Sequence, residues 1–258
     1  MSRFINLEFG GESEDQPQHQ KPLVKDEAYY FAEASAAFES GDFEPALRLY
    51  SKVLEFNPEN AAAWTAQVRM LIELGEFREA KLWADKALER FPHEPELLAA
   101  KAVALARSGD LQGALAFSDA AIEERGDTPY IWLARADVLL AREEQRADYC
   151  FEKALLLAPK DWFIAWLAAR IREYYEQFVL ALKLLQQAVE WNTSHFLLWL
   201  ELGQCQQALG LTGLARDSFE QARQLNPQCH QASTAIVQLS GTGLWHQLRG
   251  FWRRLFNR

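Results

Sequence analysis

Two stretches decide the fold: "NPENAAAWTAQVRMLIELGEFREAKLWADKALERFPHEP" (residues 57–95) and "NTSHFLLWLELGQCQQALGLTGLARDSFEQARQLNPQ" (residues 192–228). Aligned on Trp64 and Trp199, they share a glycine, two alanines and a proline at the same offsets: Gly75 and Gly210, Ala80 and Ala215, Ala87 and Ala222, Pro92 and Pro227. Each stretch holds two runs of about a dozen residues with helical spacing, parted by a glycine turn. Small residues recur where helices must approach closely (Ala46, Ala80, Ala114 and Ala147), and large ones (Tyr50, Phe151 and Phe219) fill the space between units. Proline near each unit's end stops the second helix, because it lacks an N–H and clashes with the preceding turn.

A period of 34 residues extends this pattern through the chain. It closely resembles the tetratricopeptide repeat family, with its W-x2-L-G-x2-Y…A-x3-F…P signature. Six repeats fit, at residues 27–60, 61–94, 95–128, 129–161, 162–195 and 196–229, about four-fifths of the chain. The sixth fits best. The third has Gly126 where proline is usual, the fourth is one residue short in its central turn, and the fifth has Thr193 in place of proline. One helix pair cannot bury its own apolar faces, so the units stack and share a continuous core. The resemblance implies an all-α, right-handed superhelical solenoid with a concave groove. Residues 230–240 read as a helix covering the last repeat, and residues 241–258 as a basic amphipathic tail. Residues 1–26 read as a disordered N-terminal tail containing a small apolar island, "FINLEF" (Phe4 to Phe9), which either lies on the first repeat or serves a partner as a short linear motif.

Charge is divided unevenly. Residues 241–258 carry four arginines and no acid, whereas residues 1–240 hold 23 basic and 36 acidic side chains, a net of −13. Such a body is a poor nucleic-acid surface, since phosphate contacts need clustered Lys and Arg. No phosphate-binding glycine loop, metalloprotease helix motif or nucleophile elbow occurs, and Cys150, Cys205 and Cys229 show no zinc spacing. The expectation is no enzyme, no cofactor and no metal. Without a signal-peptide pattern or an apolar run long enough to span a bilayer, the expected place is the cytoplasm, or peripherally at a membrane.

The resemblance implies that each first helix lines the groove. Among its inward positions, Phe31, Arg69, Arg107, Tyr130, Asp137, Trp166, Arg170 and Tyr174 are the candidate contacts for a protein or peptide ligand. Aromatic rings and arginines supply large contact area and recur among interface hot spots, and an arginine fork suits a carboxylate. Alternatively the arginines pair with neighbouring acids. The positions matching the family's chaperone-tail clamp are Phe31, Ser35, Ala66, Glu96 and Ala100, none of them Lys, Asn or Arg, which disfavours that kind of adaptor.

In the tail, the apolar residues Leu244, Trp245, Leu248, Phe251, Trp252, Leu255 and Phe256 form one stripe of a helix, and Arg249, Arg253 and Arg254 occupy the rest. At about 22 Å such a helix is too short to cross a bilayer. It suits an anionic membrane surface, a partner's groove, this protein's own groove, or a last packing helix.

Overall fold

The computed structural model describes residues 25–124 and 127–240. Within them the helices are α1 (Glu27–Glu39), α2 (Phe43–Phe56), α3 (Ala61–Glu73), α4 (Phe77–Arg90), α5 (Pro95–Arg107), α6 (Leu111–Glu123), α7 (Pro129–Ala141), α8 (Ala147–Leu157), α9 (Trp162–Tyr174), α10 (Phe178–Trp191), α11 (Phe196–Ala208) and α12 (Thr212–Leu225). A further helix, α13, covers residues 230–240, and no strand occurs among the described residues. Consecutive helices pack on one another throughout, which makes the fold an all-α stacked solenoid.

Local chemistry sets the helix starts. Asp26, Asn60, Asp110, Thr128 and Asp161 each accept a backbone N–H of the first turn, satisfying donors that have no partner within the helix. The turn between the two helices of a pair needs a left-handed residue. Gly75 fills that role with φ +79°, whereas Glu143 and Glu176 adopt it at φ 59° and 58° in the fourth and fifth pairs. A glycine loses nothing there, but a Cβ makes the same conformation costly.

Close packing follows from one alanine in each second helix. Ala46, Ala80, Ala114, Ala147, Ala181 and Ala215 are all at most 1% exposed. A side chain longer than a methyl would push the paired helices apart. Gly203 obeys the same logic: a Cβ built there would lie 2.7 Å from the ring of Phe219, itself fully buried. Tryptophans at the fourth position of three first helices are fastened to the preceding loop. Trp64 Nε1 donates to the Pro58 carbonyl (2.9 Å), Trp132 Nε1 to Asp127 Oδ1 (2.8 Å) and Trp199 Nε1 to the Thr193 carbonyl (2.8 Å).

The stack curls until its two ends meet. Phe38 of α1 packs edge-on against Phe163 of α9 (5.1 Å between ring centres), and Phe43 of α2 stacks on Trp166 (6.4 Å). Leu197, at the start of α11, fills the space beside Gly41, where an added Cβ would come within 2.9 Å of it. One apolar core therefore runs from Ala34 through Trp166 to Ala232 and Ile236 of α13.

Candidate functional site

Closure changes what the inward-facing side chains do. Arg170 projects from α9 across the concave face to α3, where its Nε and Nη2 donate to Glu73 Oε2 at 2.9 and 2.7 Å. Its Nη1 donates to Glu201 Oε1 of α11 at 2.7 Å, and its guanidinium lies over the rings of Phe43 and Trp166. Glu201 also accepts the indole N–H of the fully buried Trp166. One arginine thus joins the second, fifth and sixth helix pairs.

A second ion pair lies beside it. Arg107 Nη2 donates to Asp137 Oδ2 at 2.6 Å, with the side chains only 8% and 1% exposed. The Tyr175 hydroxyl donates to Asp137 Oδ1 (2.8 Å), and Arg107 covers the Tyr174 ring at 4.0 Å. Arg69 is held between Tyr130 and Phe38, 3.8 and 5.0 Å from their ring centres. The space left between Arg69, Glu73, Arg107, Tyr130 and Asp137 is about 30 Å³, room for a water or two and not for a peptide.

Electrostatics follows burial and pairing. Burial alone would raise the Glu73 carboxyl, but the charges of Arg170, Arg107 and Arg69 hold it below its ordinary value. Burial opposes the charged forms of Arg107 and Arg170, yet their carboxylate partners keep both above the ordinary range. Glu201 is raised by burial despite Arg170. Nearby, burial and the charge of Glu201 push Glu173 up to about 8, and burial together with Glu173 pushes the Cys205 thiol up to about 12. A protonated thiol is a weak nucleophile. Among the described residues no group of three His, Cys, Asp or Glu is placed to hold a metal ion.

Six of the eight candidate groove residues meet in this interior: Arg69, Arg107, Tyr130, Asp137, Trp166 and Arg170; a seventh, Tyr174, lies at its edge under Arg107 and is 45% exposed. An open groove was the expectation; the groove between them is filled, because the curl of the stack brings opposing walls into contact and their charges neutralise one another. The eighth, Phe31, has a different setting. It packs edge-on to Tyr50 at 5.6 Å and lines a cleft of about 730 Å³ with Asp26, Glu27, Ala28, Ala32, Phe56, Asn60 and Ala62. Glu27 is fixed there by Asn57 and Asn60, whose amides donate to its carboxylate at 2.9 and 2.7 Å. Phe56 stacks on Tyr30 and remains 54% exposed.

Sequence reading missed Glu201 and Tyr175 as members of the interior network. Glu201 stands at the sixth, inward position of its repeat, so its face was legible. Its pairing to Arg170, 31 residues earlier, was not. The tail residues Trp245, Leu248, Arg249, Phe251, Trp252, Arg253, Arg254, Leu255 and Phe256 lie outside the described residues. No described helix is long and apolar enough to cross a membrane.

Comparisons with known proteins agree with this architecture. The tetratricopeptide repeat family model matches residues 37–104. The protein TTC0263 of Thermus thermophilus, a thermophilic tetratricopeptide repeat protein, superposes with a TM-score of 0.54 and 20% identity, over 69% of this chain and 98% of that one. The Cut9–Hcn1 hetero-tetramer of the APC/C matches at TM-score 0.51 and 16% identity over 83% of this chain, which spans 43% of the length of that one. The monomeric mutant of IFIT1 determined with m7Gppp-AAAA matches at TM-score 0.51 and 18% identity, over 88% of this chain and 59% of that one. No curated protein is significantly similar in sequence. Residues 37–104 thus match the tetratricopeptide repeat family, and the same stacking of helix pairs on buried alanines continues through the other described residues.

Proposed function

We propose that the chain is a non-enzymatic scaffold that captures a short peptide or helix of a protein partner. Capture takes place on the part of the concave face that the closed interior leaves open, the cleft between the start of α1 and the start of α3. The observation that carries this reading is the cleft's lining. Ala28, Phe31, Ala32, Phe56 and Ala62 give an apolar floor, and Asp26 and Glu27 a carboxylate edge. An open, shallow cleft with an apolar floor and fixed carboxylates suits a peptide laid along it more than a small molecule enclosed by it. An apolar peptide with a basic flank suits it. The arginines of the interior act as internal fasteners in this scheme and do not meet the ligand.

The basic tail adds location. Its stripe of Trp245, Leu248, Phe251, Trp252, Leu255 and Phe256, flanked by Arg249, Arg253 and Arg254, suits an anionic membrane surface or a partner's groove. A second reading makes this lipid contact primary, the chain then being a peripheral membrane assembly factor working from the cytoplasm. Panning a peptide library against the full chain and its Ala32→Arg variant tests the first reading. Apolar peptides enriched on the former and lost on the latter are the expected result; enrichment indifferent to Ala32→Arg would overturn it. Co-sedimentation with anionic vesicles that survives Trp252→Asp and Phe256→Asp would remove the tail from any membrane role.

A further inference from the structure

Resting on the cleft reading above, we infer that residues 4–9 of the same chain, "FINLEF", occupy the first-repeat cleft and compete there with outside peptides. Three observations converge on this occupant. The first is exposure: the cleft is about 730 Å³ and open to solvent, and Phe56 in its floor is 54% exposed. The second is reach. The described chain begins at Lys25, immediately before the rim residues Asp26 and Glu27, and fifteen residues separate it from Phe9. That length extends to at most about 50 Å, more than any crossing of one helix pair requires.

The third is chemistry. Phe4, Ile5, Leu7 and Phe9 supply apolar side chains to a floor of alanines and phenylalanines. Arg3 and Glu8 offset one another, so apolar contact and not charge matches this segment to the cleft. The tail, residues 244–258, is the more basic segment. It follows α13, however, which does not line the cleft, whereas residue 25 immediately precedes the lining residues Asp26 and Glu27. A tether of this length gives an effective concentration of the order of millimolar, enough to hold off a weak outside ligand.

The test uses full-length chains and, as probe, a fluorescently labelled peptide of residues 1–12. Fluorescence polarisation compares the native chain, the Phe4→Asp/Phe9→Asp chain, and that chain with Ala32→Arg added. Ala32 is exposed, so its replacement spares the fold, which circular dichroism verifies. The probe is expected to bind the Phe4→Asp/Phe9→Asp chain about tenfold or more tightly than the native one, and to lose that binding when Ala32→Arg is added. Equal binding by the first two chains, or binding that ignores Ala32→Arg, overturns the inference. If library peptides still bind in an Ala32-dependent way while the probe does not, self-occupancy falls and the capture function stands. If neither binds, both fall. A native dimer that Phe4→Asp/Phe9→Asp dissolves would make a second copy the occupant and would likewise overturn it.

Discussion

The closed interior and the first-repeat cleft use the same inward positions of the first helices, yet they end as opposite surfaces. In the interior, Arg170 is held by Glu73 and Glu201, and Arg107 by Asp137, leaving about 30 Å³. In the cleft, Phe31 and the alanines beside it face about 730 Å³ bounded by two carboxylates. The difference teaches that an inward position is a ligand contact only where the opposing wall stays away. Arginine and acid in the interior hold the stack closed; alanine and phenylalanine at the cleft leave room.

The sharpest way to break this contrast is to remove the central cation. Arg170→Ala leaves Glu73 and Glu201 buried without their partner and is expected to cost about 3–5 kcal/mol in chemical denaturation. A loss below 1 kcal/mol would mean that the pairing does not hold the walls together. Gly203→Ala probes packing without charge. The new methyl meets the Phe219 ring at 2.7 Å, so a loss of about 1–3 kcal/mol is expected, with the interior pairs intact.

A pH series separates the network from its uncharged surroundings. Glu173, pushed up to about 8 when folded, binds its proton more tightly in the native than in the unfolded chain. Between the ordinary carboxylate range and pH 8 the native state then holds more protons, so this group makes stability fall as pH rises. Glu173→Gln should flatten that slope and stabilise the protein at pH 8–9 by about 2 kcal/mol; an unchanged slope would place the titration elsewhere. At the cleft the expected stability effect is smallest. Ala32→Arg should shift stability by less than about 0.5 kcal/mol, as exposed substitutions do, while abolishing peptide capture.

Much of the fold was legible because it depends on short-range rules. The repeated alanines announce close helix contacts, Gly75 and Gly210 the turns, and Pro92 and Pro227 the ends of second helices. The fifth pair was hardest to place. Trp162 and Trp166 follow the capping Asp161 in a repeat that lacks the usual proline, and Trp166 proves fully buried against Glu201. Which residues face inward could be read from register, but not how far they stand from the opposing wall. That distance accumulates from a small rotation between successive pairs, and each rotation is set by side-chain volumes at an interface rather than by any motif. The Arg170–Glu73 contact, 97 residues apart, is the outcome of that sum and has no local signal.

That contact is also where the account is most directly tested. A double-mutant cycle of Arg170→Met and Glu73→Gln measures the coupling between two helix pairs that only closure brings together. The closed interior predicts a coupling energy of at least about 1 kcal/mol. Additivity within about 0.3 kcal/mol would contradict it, and the concave face would then be an open groove lined by the same arginines.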